Sequence, residues 1–427
     1  MNSSYTAVVR KSALPLVLVV SLFFLWGVAN NLNDILIRQF KKAFELTDFE
    51  SGLVQSAFYL GYFLFAIPAG LVMRRYGYKA GIVVGLVLYA LGAFLFYPAA
   101  DLRTYGFFLF ALFVIASGLS FLETSANPFV TVLGPPQGAE RRLNFAQAFN
   151  PLGSITGVVI GRFFIFSGAD DTPAQIAAMP PTARTAYDAA QTAVVQAPYI
   201  AIGIVVMALA LVILLTRFPA VHESHQPEAG EEARWRELRG RGRFFFAVVA
   251  QFFYVGAQVG VWSYLIRYAE ATVPGTADRR AADFLIVSLV LFMLGRFAGA
   301  ALMRRVAPVF LLAAFAAVNA LLAAVAIAMP GYVGLYALIA SSFFMSVMYP
   351  TIFALGVSGL GEVRKLASSV LVMAIVGGAV LTPAMGALSG LAGINGSMAV
   401  PLVCFAVVLG FALSVRRAMR QVAESPA

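Results

Sequence analysis

One carboxylate stands inside a long apolar run. It is Glu123, within GLSFLETSANPFVTVLG at 118–134. Ser120, Glu123, Thr124 and Asn127 are spaced i, i+3, i+4 and i+7, so on a helix they share one face. Pro128 follows and loosens the backbone there. An acid in a segment long enough to span a bilayer marks a functional site by default. The blander reading is an acid that neutralises an arginine or ties helices together. A second acid, Asp34, follows Asn30 and Asn33 in an earlier apolar run. Both are groups that can take up and release a proton.

Around these acids the polar chemistry is neutral. Trp26, Asn30, Asn33 and Asp34 line one helical face, and Gln55, Tyr59 and Tyr62 line another. Gln147, Asn150 and Ser154 form a third, and Gln251, Tyr254, Gln258 and Trp262 a fourth. Facing lipid, such side chains would be costly, so these faces are expected to point inward. Amides donate and accept at once, and aromatic rings pack on the C–H face of a sugar. The set suits a neutral, polyhydroxylated ligand. There is no basic cluster for a phosphate or a dicarboxylate. The bland alternative is that the amides and rings only hold helices together.

Other chemistries are excluded by counting. Cys404 is the single cysteine, so no intramolecular disulfide or cysteine metal cluster can form. The two histidines, His222 and His225, lie together in a polar loop. No nucleophile or metal constellation marks an enzyme, and no cofactor is expected. A receptor would need a signalling domain, and the linker and tail are short.

The elements that must carry these residues are membrane helices. The chain has 427 residues, of which 61% are hydrophobic and 12% charged, against about 25% charged in soluble domains. Apolar runs of spanning length lie near 14–40, 50–73, 80–99, 105–133, 143–167 and 196–217. After a polar linker come 243–269, 282–303, 306–329, 332–358, 366–391 and 397–415. The expected organisation is a six-helix bundle at 1–217, a cytoplasmic linker at 218–242 and a second bundle at 243–427. The loop at 167–196 is expected to carry a short surface helix. The first apolar run has no small-residue cleavage site before Asn30, so it reads as the first span. The net charge of +10 sits mainly in alternate short loops, which indicates membrane topology, not nucleic-acid binding. The positive-inside rule places both termini and the linker in the cytoplasm. Asp34 then comes late in an outward-running span and Glu123 late in an inward-running one, so they are expected at different depths.

The halves echo each other. Met73-Arg74-Arg75 ends span 2 and Met303-Arg304-Arg305 ends span 8; Asn127-Pro128 parallels Tyr349-Pro350. Six plus six spans with basic turns at matching places resemble the major facilitator superfamily, an all-α membrane fold. The loop 70–79 departs from that family's usual pattern, with Arg74 in place of an acid. The strings WGVANNLNDILIRQF, QSAFYLGYF, LETSANPFVTVLGP, QFFYVGAQVGVWSYLIRYA, FMSVMYPTIFALG and VGGAVLTPAMG resemble its fucose/glucose/galactose permease family, and the fucose branch in particular.

The resemblance implies proton/sugar symport by alternating access around a central cavity. It implies functional roles for Asp34, Glu123 and Asn150, with Glu123 carrying the proton and Asp34 joining sugar recognition to coupling. Arg162 lies outside the pattern and reads as a snorkelling residue. The expected ligands are a proton and a neutral sugar, L-fucose first. Glucose, galactose and N-acetylglucosamine are the alternatives within the family, and a proton-independent uniporter is the alternative mechanism. The expected setting is the bilayer of a bacterial inner membrane, with the protein as a monomer.

Overall fold

The computed structural model describes residues 13–43, 48–133, 135–160, 178–193, 195–218, 231–274 and 278–424. Among them every regular element is helical. The first part of the chain holds α1 (Ala13–Ala43), α2 (Asp48–Leu102), α3 (Tyr105–Val132), α4 (Ala139–Gln147), α5 (Phe149–Ile160), α6 (Pro181–Ala193) and α7 (Gln196–Leu215). The linker carries α8 (Glu231–Arg239). Then follow α9 (Gly242–Thr272), α10 (Asp278–Leu302), α11 (Pro308–Ala328), α12 (Tyr332–Met345), α13 (Met348–Val357), α14 (Arg364–Met373), α15 (Gly377–Gly396) and α16 (Ala399–Glu424).

Nine of the described helices are long and apolar enough to cross a membrane. One stretch of α2, Ala57–Leu102, is 46 residues long and contains spans 2 and 3. They meet at Gly77, where φ is 84° and ψ 172°. A side chain is strained in that region, so the chain reverses on glycine. Other spans break at prolines. Pro151 has no N–H to give the Gln147 carbonyl four residues back, and α4 and α5 part at Ala148. Pro350 lies just past the break between α12 and α13. Span 11 divides at a 3₁₀ turn, Ala374–Val376. The surface helix expected after span 5 is α6.

The chain divides into two compact units, Met1–Ala126 with Leu152–Pro219, and Asn127–Pro151 with Ala220–Ala427. Inside a bilayer, helices gain little from hiding apolar surface; close backbone approach and interhelical hydrogen bonds hold them. In the first unit α2 and α7 pack side by side. Phe96 stacks on Tyr199 with ring centroids 3.8 Å apart. Lys79 Nζ donates to the Leu214 carbonyl at 2.7 Å, and Gln196 Nε2 donates to Asp101 Oδ1 at 2.8 Å. In the second unit α9 lies against α15 and α16, while α12 packs on α10 and α11. Tyr268 donates to the Ala326 carbonyl at 2.7 Å.

The internal repeat shows in backbone contacts. A Cβ on Gly153 of α5 would lie 1.9 Å from the Phe24 oxygen of α1. A Cβ on Gly377 of α15 would lie 2.0 Å from the Phe252 oxygen of α9. Spans 1 and 5 thus touch as spans 7 and 11 do, each through a glycine. Many large apolar side chains face outward, Leu215 at 75% and Leu391 at 87% exposure among them, which suits contact with hydrocarbon.

Candidate functional site

α3 keeps its polar face out of water. Ser120, Thr124 and Asn127 are fully buried, and Glu123 is 1% exposed. Ser120 Oγ donates to the Tyr62 carbonyl of α2 at 3.0 Å, which fixes the turn that bears Glu123. Tyr62 packs on Phe58 at 5.3 Å and lies within electrostatic reach of Glu123 and Tyr59. The first unit therefore surrounds its intramembrane acid with tyrosines, a serine and a threonine. Asn30, Asn33 and Asp34 fall on α1 and Gln55 on α2, but their side chains lie outside the described residues. Arg162 also lies outside them.

The second unit brings two of the expected amides together and adds a cation. Gln147 Nε2 donates to Asn127 Oδ1 at 3.0 Å. Arg296 of α10 is only 5% exposed. Its Nη1 donates to Gln147 Oε1 at 2.8 Å and to the Gln147 carbonyl at 2.9 Å. That carbonyl is the one Pro151 cannot serve, so the helix break creates the acceptor that the arginine uses. The guanidinium also lies 4.8 Å from the centroid of the Phe292 ring, a cation–π contact. Neighbouring Asn144 is fully buried and donates to Thr351 Oγ1 of α13 at 3.1 Å. Asn150 follows in the first turn of α5, half-buried.

The sequence reading named neither Arg296 nor Asn144. For Arg296 the signal was present, an arginine inside the apolar run FMLGRFAGA. The criterion that singled out Glu123 applies to it equally.

On α9 the four expected residues differ in their bonding. Tyr254 is fully buried, and its hydroxyl donates to the Met345 carbonyl at 3.0 Å. It thereby serves one of the last carbonyls of α12, which have no partner within the helix. Trp262 is half-buried and its Nε1 donates to Ser342 Oγ at 3.0 Å. Gln258 is half-buried. Gln251 is fully buried, yet neither end of its amide meets a protein partner. Buried amides are normally satisfied, so Gln251 presents both a donor and an acceptor for something else to use. Helix α4 also holds Glu140. Burial raises its carboxyl above the ordinary range, and Arg142 and Arg243 oppose that rise.

Among the described residues singled out above, the chemistry within the apolar spans is amide, hydroxyl, indole, the Glu123 acid and the Arg296 guanidinium. Among the described residues no group of acids, histidines and cysteine is placed to hold a metal.

Known proteins agree with this picture. The family model described as Major Facilitator Superfamily matches residues 16–383. The L-fucose-proton symporter of Escherichia coli is 48% identical over 94% of this chain and 93% of its own length. A glucose/galactose transporter of Brucella abortus is 37% identical over 92% of each chain. The crystal structure of the transporter FucP in the outward conformation superposes with a TM-score of 0.90. It shares 47% identity, covering 95% of this chain and 99% of that one. A chain whose described elements are all helical, with paired half-repeats, a buried intramembrane acid and relatives of this closeness, belongs to the major facilitator superfamily, as a multi-pass membrane transporter.

Proposed function

We propose that this chain is a proton-coupled symporter that imports a neutral monosaccharide by alternating access, with L-fucose as its first candidate substrate. The observation that carries the reading is Glu123, a carboxylate 1% exposed in an otherwise apolar helix. Support comes from the 48% identity to an L-fucose-proton symporter. A glucose/galactose transporter at 37% identity makes those hexoses the second reading.

In this scheme Glu123 holds the proton during the crossing. With the proton on, no bare charge is stranded in low dielectric, which would be costly. Asp34 meets sugar nearer the outside and ties its binding to protonation. Gln251 supplies an unspent donor and acceptor to sugar hydroxyls, and Gln258, Trp262, Asn30, Gln55, Tyr59 and Asn150 are the other side chains assigned to sugar. Asn127 and Gln147 contribute through the amide chain that Arg296 anchors. Proton and sugar favour the same state, which is coupling in the thermodynamic sense. The bodies proposed to move are 1–217 and 243–427, joined by 218–242, so the bonds that Gln147 accepts from Arg296 must open and re-form in the cycle. The protein works as a monomer in a bacterial inner membrane with both termini in the cytoplasm.

The test is proton movement on sugar addition. L-fucose added to lightly buffered, right-side-out vesicles should alkalinise the medium, and competing hexoses should suppress that signal in order of affinity. Uptake of L-fucose without any alkalinisation would overturn symport in favour of a uniporter.

A further inference from the structure

Three spans of the second unit meet at one hydroxyl. Ser342 of α12 accepts the indole N–H of Trp262 from α9 at 3.0 Å. It also shares a short hydrogen bond with Ser288 of α10. Both serines are fully buried. A serine hydroxyl has one proton to donate and two lone pairs to accept with, so Ser342 can serve both partners at once. On α10, Ser288, Phe292 and Arg296 are spaced i, i+4 and i+8 and share one face. Phe292 meets the Trp262 ring edge-on, with centroids 4.9 Å apart and planes at 80°. The indole is thus held at its N–H by Ser342 and at its ring by Phe292, leaving part of it uncovered.

We propose that Ser342, backed by Ser288, is a positioning residue that takes the Trp262 indole N–H and so sets the angle at which the ring meets sugar. An indole has one hydrogen-bond donor and no acceptor. Once Nε1 is committed to Ser342, Trp262 has nothing left to offer a sugar hydroxyl. It recognises the sugar by its face alone, and the neighbouring Gln258, one helical turn away, does the hydrogen bonding. This rests on the reading that the α9 face binds sugar. It goes beyond that reading because the serine pair itself touches no sugar.

The test is a double-mutant cycle on L-fucose affinity, measured by calorimetry in detergent with Ser342→Ala, Trp262→Phe and the pair. A net hydrogen bond of ordinary strength corresponds to about fivefold, so Ser342→Ala should weaken binding by about that factor. In the Trp262→Phe background, where no N–H exists to hold, Ser342→Ala should change nothing further. The indole reports independently. The chain has three tryptophans, and with Trp26→Phe and Trp235→Phe the remaining emission is that of Trp262. Ser342→Ala should then shift its maximum and increase its quenching by acrylamide. If Ser342→Ala does not fold, Ser342→Cys, a weaker acceptor, enters the same cycle with the same expectation.

The outcomes separate the two claims. If Trp262→Ala leaves L-fucose affinity unchanged, the α9 face is not the sugar site and the underlying reading fails. If Trp262→Ala weakens binding but Ser342→Ala does not, the site stands and the positioning role falls. Additive effects of Ser342→Ala and Trp262→Phe would also overturn it, because serines that merely tie helices together act independently of the indole.

Discussion

Truncating Gln147 to alanine isolates the worth of the buried arginine's anchorage. The side chain is 3% exposed. It accepts from Arg296 Nη1 through Oε1 at 2.8 Å and donates through Nε2 to Asn127 at 3.0 Å. Gln147→Ala removes both bonds but leaves the backbone bond to Arg296 at 2.9 Å. The bond to the guanidinium is charge-assisted and is worth about 1.5–3 kcal/mol, and the amide–amide bond about 0.5–1.5 kcal/mol. The expected loss is therefore about 2–4.5 kcal/mol. Gln147→Glu should lose much less. Its carboxylate still accepts from Arg296, and the Asn127 amide can turn to donate to it. A thiol-reactive fluorophore reads this directly, because Cys404 is the single cysteine and is buried, so labelling follows unfolding. Gln147→Ala should lower the unfolding midpoint by several degrees, and Gln147→Glu should stay near the parent. Equal midpoints for Gln147→Ala and the parent would refute the argument. So would a Gln147→Glu protein as weak as Gln147→Ala.

Further expectations follow from other parts of the molecule. Glu123→Gln should reduce the accumulation ratio at 100 mV from about fiftyfold, the value of one transported charge, to one, while sugar exchange persists. In a pH titration of sugar affinity, Asp34→Asn should mainly weaken binding and Glu123→Gln should mainly remove the pH dependence; a flattened profile in Asp34→Asn with a normal one in Glu123→Gln would reverse the two roles. Gln251→Ala and Gln258→Ala should each weaken L-fucose binding by calorimetry with little change in unfolding midpoint, and unchanged affinity in both would remove α9 from the site. Gly377→Ala forces a Cβ against the Phe252 carbonyl and should cost about 1–3 kcal/mol in the same unfolding assay. Glu140→Gln should flatten stability against pH. The folded-state value of Glu140 is raised, so the protonated form contributes stability that is lost as pH rises through that value. The variant, unable to ionise, should lose none there, and identical pH profiles would count against it.

The spans and the intramembrane acid were legible because a bilayer imposes simple rules on a sequence. Run length locates helices, and Glu123 stands out against apolar neighbours. Face periodicity grouped Gln251, Tyr254, Gln258 and Trp262, but it could not distinguish their bonding. That depends on carbonyls and hydroxyls delivered by α12, some 80–91 residues away along the chain. Local reading gave 74–79 as an ordinary loop, whereas the reversal is concentrated at Gly77. The break at Pro151 could be foreseen from its missing N–H. That Arg296 would use the released carbonyl could not, since the partner comes 149 residues later. Arg296 itself was visible by the rule applied to Glu123, but among arginines within apolar runs only Arg162 was weighed, and Arg296 was passed over.

Lys79 has a consequence for how the protein is made. By the positive-inside rule it is one of the basic residues expected to orient the chain during insertion. In the finished structure its ammonium donates to the Leu214 carbonyl at the end of α7, where the helix terminus is partially negative. Those two residues are separated by 135 positions. The bond can close only after the ribosome has delivered span 6, long after spans 2 and 3 have been made. On the positive-inside expectation, one charge serves twice in time, first as an address and later as a clasp. A neutral replacement at Lys79 should therefore leave orientation largely to Arg74 and Arg75, yet slow the late step in which the first unit closes around its last span.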